Sequence, residues 1–310
     1  MTEMHSDPLT TVDPIATPSS TEPIRCGSDV YARPAGLAND LAHLIACGYQ
    51  AAELSIDSMQ CIMGGKLVER TVDRVAELCA QHAGTLTYSV HSPAVLDLRD
   101  PVYKDLQCDI LLCSVRFAAA IGARVLVVHY EARSADPAIE AQYSRAIEQA
   151  AELAGQHHVI LGIENIEVER SAYVIEFLEA LRHPWVRMTY DFAHNYLAGD
   201  LFSYDHLAAA RDCAPYTAHI HITDNFGRFN HARLGDFNQY QAIPLHNVTI
   251  LGLGDLHLPL GWGTLPTEQV YACFAAHKYN GLVISEHDRG HYGEADREVC
   301  ERLHALTKPA

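Results

Sequence analysis

In this chain a histidine or a carboxylate recurs at the end of one short apolar run after another. His91 closes YSVHSP, His129 closes VLVVHYEA and Glu164 closes LGIENI. Asp191 ends the next run, with His194 three residues on in TYDFAHNYLAG; His221 follows in HIHITDN with Asp224 behind it, and Glu286 closes LVISEHD. Ahead of that last run, GDLHLPLGWG sets Asp255 and His257 two apart before a Gly-x-Gly turn at Gly261 and Gly263. Singly, each is ordinary. A lone histidine at a strand end is more often a loop residue than a ligand. Asp and Glu after apolar runs are often caps or turn residues, a role open to Asp224. The alternation in AHIHITD would leave only one of His219 and His221 facing the interior. Recurrence at six successive runs is what independent placement does not explain. Imidazole and carboxylate together, without thiolate, suit zinc, manganese or iron. The nine candidates are His91, His129, Glu164, Asp191, His194, His221, Asp255, His257 and Glu286. They are too many for one ion; at about three to four protein ligands each, with a bridging carboxylate, they suit two or three.

The runs that carry these residues must be strands, and the segments between them helices. Strands are expected near Arg25–Val30, Ala51–Ile56, Leu86–His91, Val125–His129, Val159–Glu164, Val186–Asp191, Ala218–Thr223 and Leu282–Glu286. Leu37, Leu41, Leu44 and Ile45 share one face of a helix over Leu37–Cys47 that Gly48 stops. Further helices are expected at Val68–His82, from a cap at Asp100 with Pro101 in first position to about Ile121, and at Ala138–His157. Others follow a cap at Ser171, span Tyr204–Asp212, follow Pro266 and span Ala295–Leu306. Eight strand–helix units predict a (β/α)8 TIM barrel over residues 24–310. Barrel enzymes carry their active sites at the C-terminal ends of the strands, where the candidate ligands fall. A doubly wound open sheet is the runner-up, but Gly64-Gly65-Lys66 is no phosphate loop, because Leu67 sits where Ser or Thr is needed. The stretch from Asp224 to Gly263 is far longer than a simple connection and reads as a functional loop.

The totals bound the rest. At 310 residues and 48% hydrophobic, the chain can bury one large core. Residues 1–23, rich in Thr, Pro and Ser, read as a disordered tail. No apolar run approaches the ~18 residues of a membrane span, and no basic start precedes an apolar block, so a cytoplasmic protein is expected. Nine scattered cysteines without a C-x-x-C pair read as reduced, mostly buried thiols. A net charge of −17 argues against a broad nucleic-acid surface. His43, His82, His157, His158, His183, His277 and His304 fall on helices or their ends and read as surface or packing residues. Glu53, in the second strand, reads as a plain polar strand residue or as a support behind His91 or His129.

Over residues ~25 to 306 the pattern resembles the xylose isomerase-like TIM barrel superfamily, which includes the endonuclease IV group (AP endonuclease family 2) and sugar epimerases such as tagatose 3-epimerase. The resemblance to the epimerases implies one metal held by Glu164, Asp191, His221 and Glu286. The endonuclease IV group holds three zinc ions, and its further pattern matches His91, His129, His194 and the loop Asp255-x-His257 with Gly261 four residues on. That resemblance implies one ion on His91, His129 and Glu164, a second sharing Glu164 with Asp191, His221 and Glu286, and a third on His194, Asp255 and His257. Where the sugar epimerases resemble this loop, they usually place a substrate-binding Arg at the position of His257, which this chain does not. The DNA-binding members carry basic and wedge-like residues on early rim loops; here DSMQCIMGGK offers only Lys66, so duplex DNA is not an expected partner. The 33 residues between His221 and Asp255 exceed the family spacing. They bring Arg228, His231 and Arg233, which with Lys66 are candidate anchors for a small anionic or sugar-like substrate. Ordinary solvated loop charge is the competing account of the arginines.

Four functions fit these residues. The first is a multinuclear hydrolase of a small phosphoester, in which bridged metals lower the pKa of a bound water and clamp attacking and leaving oxygens. The alternative is a sugar or sugar-phosphate isomerase or epimerase with a single catalytic metal and Glu164 and Glu286 as the acid–base pair. Oxidative chemistry at a multi-iron centre ranks third. A metal-stabilised binding protein without turnover ranks last. An oligomer is compatible with all of them.

Overall fold

The computed structural model describes residues 24–235, 239–240 and 242–308; the segment 1–23, read from sequence as a disordered tail, lies outside the described residues. Eight parallel strands close into a barrel in chain order. They are β1 (Arg25–Val30), β2 (Ala51–Ser55), β5 (Thr87–His91), β6 (Val125–Tyr130), β7 (Ile160–Asn165), β8 (Val186–Asp191), β9 (Thr217–Ile222) and β10 (Leu282–Ser285). Two short antiparallel strands, β3 (Ile62–Met63) and β4 (Lys66–Leu67), form a hairpin outside the barrel. The TIM barrel expected from the strand–helix alternation is therefore the observed fold. The strands are apolar almost without a break because helices cover them outside and side chains fill them inside; in β8 every residue is buried.

The helices pack as their periodicity dictates. In Leu37–Cys47 the buried residues are Leu37, Leu41, Leu44 and Cys47, and Gly48 ends the helix at φ 104°. Three expectations need correction. The Asp100 carboxylate accepts the N–H groups of Val102 and Tyr103 at 2.7 and 3.1 Å, yet the helix begins only at Lys104, so the cap closes a turn rather than a helix. Ser171 is not a cap: it is the first helical residue, and its hydroxyl donates to Asn195 Oδ1 at 3.1 Å. His219 and His221 both face the barrel interior and both are fully buried, because residues two apart on a strand share a face. A further helix, Phe192–Phe202, escaped the sequence reading because seven of its residues are buried and no polar face marks its period. Its cap is Asp191, whose Oδ1 accepts the His194 N–H at 2.6 Å.

Below the mouth the strands crowd. Gly162 stands two residues before Glu164 on the inner face of β7, and a Cβ there would lie 2.1 Å from Thr189 Oγ1 of β8. All nine cysteines are free and eight are buried. Among the described residues no helix is long and apolar enough to cross a membrane.

Asp224 fastens the long loop to the barrel. Its backbone exchanges hydrogen bonds with Leu258, and its carboxylate accepts the N–H groups of Asn225, Gly261 and Leu265 at 2.9, 2.9 and 3.0 Å. The turn reading of Asp224 holds. Gly263 is required by the closeness of this clamp, since a Cβ there would stand 2.3 Å from the Asn225 carbonyl oxygen. Removing the buried acceptor strands several N–H groups, so Asp224→Ala should lose about 2–4 kcal/mol of stability. Denaturant unfolding checks the loss, and hydrogen exchange should show the opening concentrated in residues 258–265. Unchanged exchange there would mean that the clamp is dispensable.

Candidate metal centre

The ends of the strands bring seven of the nine candidate ligands, directly or through the residues that follow, to one mouth, and the loop that carries Asp255 and His257 folds over it. Across β6 and β7, His129 stands in register with Glu164; across β8 and β9, Asp191 stands in register with His221. A cavity of about 400 Å³ opens there, lined among others by His91, His129, Glu164, His194, Asp255, His257 and Glu286.

Glu164 is buried at the centre, and its two oxygens face different neighbours. Oε1 lies 2.8 Å from His221 Nδ1, which is also 3.0 Å from Glu286 Oε2. Glu164, Asp191, His221 and Glu286 present one donor atom each within 4.8 Å of one another. Oε2 lies 3.5 Å from His91 Nε2 and 3.3 Å from His129 Nε2. His91, His129 and Glu164 form a second group of the same tightness. Glu164 thus has the disposition of a carboxylate shared between two sites.

The ring nitrogens are oriented for ligation. His91 Nδ1 donates to the Ser92 carbonyl at 2.8 Å, His194 Nδ1 to Asn165 at 3.0 Å and His257 Nδ1 to Glu286 at 2.6 Å. A carbonyl only accepts, so each Nδ1 carries a proton, and each Nε2 faces the other candidate ligands, where it can offer a lone pair once an ion displaces its own proton. His91 Nε2 meets His129 Nε2 at 3.1 Å, beside a Glu164 Oε2 that has no hydrogen-bond partner. Such an arrangement asks for a cation. The last three candidates converge on one oxygen: Asp255 Oδ2 lies 3.2 Å from His194 Nε2 and 2.8 Å from His257 Nε2, while Asp255 Oδ1 has no partner. His257 holds this position at φ 44°, a left-handed conformation that costs a non-glycine residue energy and collects at functional sites.

The charges show the same demand. Burial works to raise the Glu164 pKa, but His221, His91 and His129 outweigh it and hold the carboxyl well below its usual range. Asp191 goes the other way: burial pushes it up to about 7, against the opposing pull of His194 and with the help of Glu164 and Glu286. For His91, burial lowers the pKa, but Glu164, Glu286 and Glu53 raise it to about 9. Without a divalent ion, the cluster must hold protons to relieve its own repulsion.

Of the four candidate anchors, only Arg233 lines the cavity, with its Nε donating to Glu167 Oε1 at 2.7 Å and Nη2 3.8 Å from Glu131 Oε2. Lys66 sits exposed on the hairpin, Arg228 donates to the Leu251 carbonyl, and His231 is exposed with its ring against Phe229. These three are not among the lining residues. Glu53 contacts His219 and His221 rather than backing His91 or His129. The sequence reading missed Asp29, Glu131, Glu167 and Tyr240, all of which line the cavity. Asp29 was within reach: it is the last residue but one of β1, as Glu164 is of β7. Burial, with the charge of Glu286, pushes it up to about 8.

A family model described as xylose isomerase-like TIM barrel matches residues 41–306, and no curated protein sequence matches the chain. Among solved structures, a D-tagatose 3-epimerase-like protein has a TM-score of 0.66 at 15% identity, over 92% of this chain and 97% of the other. A 3-keto-D-glucoside 4-epimerase from E. coli has a TM-score of 0.66 at 15% identity, over 91% of this chain and 99% of the other. An L-ribulose 3-epimerase has a TM-score of 0.60 at 15% identity, over 92% of this chain and 98% of the other. At such identities the likeness is one of fold. The match over most of its length places the chain in the xylose isomerase-like TIM barrel family.

Proposed function

We propose that the protein is a divalent-metal-dependent isomerase or epimerase of a small, sugar-like substrate. The observation that carries this reading is the pair of buried carboxylates, Glu164 and Glu286, meeting at one nitrogen of His221 on the wall of the cavity. Glu164, Asp191, His221 and Glu286 would hold the ion, which supplies polarisation of a substrate carbonyl or hydroxyl oxygen. Glu164 and Glu286 then stand where one can take a proton from the carbon next to that oxygen and the other can return one. Asp29, facing the same cavity, can hydrogen-bond to a substrate hydroxyl. Structural likeness to two sugar epimerases and a D-tagatose 3-epimerase-like protein supports the reading at the level of fold.

Charge favours a neutral substrate. Eight carboxyl groups line the cavity (Asp29, Glu53, Asp57, Glu131, Glu164, Glu167, Asp255 and Glu286) against one arginine, itself paired with carboxylates. A phosphate dianion would enter such walls only if two or three ions neutralised them. That is the second reading, hydrolysis of a small phosphoester, and the facing Nε2 atoms of His91 and His129 favour it. Zinc, manganese and iron all suit the donors.

Three outcomes test these statements. In deuterated water, a ketose substrate should acquire deuterium at the carbon beside its carbonyl, and Glu286→Gln should slow that exchange by about 10²–10⁴-fold. Hydrolysis of a phosphoester without any exchange would replace the isomerase by the hydrolase. Metal analysis of protein purified without chelator should find at least one ion per chain that Asp191→Asn removes; two or three ions, with one lost in His257→Ala, would favour the multinuclear site. Occupation of the His91–His129–Glu164 group must displace the His91 proton. Apparent affinity there should rise about tenfold per pH unit and level off above about pH 9, as read by competitive metal titration. A flat profile from pH 6 to 9 would contradict binding at that group.

A further inference from the structure

Of the five candidate histidine ligands, four show that the rings are not held alike. His91, His194 and His257 sit at a strand end, in the first turn of a helix and in a loop, where backbone carbonyls are free to accept Nδ1–H. His221 lies inside β9, between β8 and β10, where carbonyls are committed to the sheet ladder. It is also turned the other way: Nδ1 faces Glu164 and Glu286, and Nε2 points into the barrel. There the atom it meets is Glu53 Oε1, at 3.0 Å. The second oxygen of Glu53 lies 3.4 Å from Nε2 of His219, two residues earlier on the same face. Glu53 is 1% exposed, and neither of its oxygens has a conventional hydrogen bond; its close contacts are the two imidazoles. Holding a carboxylate in such a place is costly unless its charge is used.

We propose that Glu53 is a positioning residue, which keeps His221 protonated at Nε2 and so commits Nδ1 to the ion at Glu164, Asp191 and Glu286. An anionic partner behind a ligating imidazole fixes its tautomer and ring orientation and makes it a stronger donor. His219 steadies the other oxygen of the same carboxylate. The inference rests on the metal-dependent reading given above.

The test is cobalt binding by the full-length apo-protein, followed through the visible absorption of the bound ion. Asp191→Asn identifies the central site as the signal that disappears. Glu53→Gln keeps the shape and removes the charge; it should weaken that site by about 10–100-fold and shift its bands. Equal affinity and an unchanged spectrum in Glu53→Gln would overturn the positioning role while leaving the metal reading intact. Wild-type protein with no cobalt signal sensitive to Asp191→Asn would overturn the metal reading, and Glu53's role with it. Nitrogen-15 NMR of histidine-labelled, zinc-loaded wild type reads the same point without any Glu53 variant. A proton on Nε2 of His221, assigned by the loss of its signal in His221→Gln, is expected; metal-bound Nε2 would refute it. An extra ion lost in His219→Ala would make Glu53 a ligand and overturn the proposal.

Discussion

The mouth of the barrel depends on keeping Glu164 charged where water cannot reach it. Desolvating a carboxylate costs several kcal/mol, and Glu164 has Asp191 and Glu286 as like-charged neighbours. Three imidazoles answer that cost from both sides of the carboxylate. The balance is uneven, since Asp191 is driven toward neutrality while Glu164 is driven away from it. A divalent ion would remove the conflict, because it would supply two positive charges and free the imidazoles to be neutral lone-pair donors. The same donors can therefore hold protons or ions, and the exchange between the two links metal occupancy to pH.

Much of this was legible in the sequence, for a definite reason. In a barrel the strand end is the site, so the residue type that ends each apolar run carries information even when its partners are far away in the chain. His91 and His129 are 38 residues apart and yet meet at 3.1 Å because adjacent parallel strands bring successive ends together. What stayed hidden depends on direction rather than on type. Glu53, in sequence a plain polar strand residue or a support behind His91 or His129, instead reaches across the barrel interior to the histidines of β9. Lys66, Arg228 and Arg233 have the same chemistry in sequence; only the path of the chain turns Arg233 inward and the other two out. Helix Phe192–Phe202 was invisible because burial on most sides erases the amphipathic period that sequence reading relies on.

The loop that carries Asp255 and His257 shows how an insertion can be long and still deliver two side chains accurately. Asp224 pins both ends of its turn, and the His257 ring is tied back to the Glu286 carbonyl at the end of the neighbouring strand. The residues between supply Arg233 and Tyr240 to the cavity wall from outside the barrel proper. Rigid strand ends thus fix the central donors, while the loop sets what surrounds the substrate.

This division bears on the choice between isomerase and hydrolase. The central four donors are common to both, so the decision lies with the outer groups and with charge. If only the central site fills, the walls remain anionic, and a neutral polyhydroxy substrate is the one the cavity can accept. If the outer groups fill as well, the same carboxylates become ligands, the wall charge nearly vanishes, and an anionic phosphoester becomes admissible. The number of ions is then more than an inventory of cofactors: through the field it creates, it selects the class of substrate.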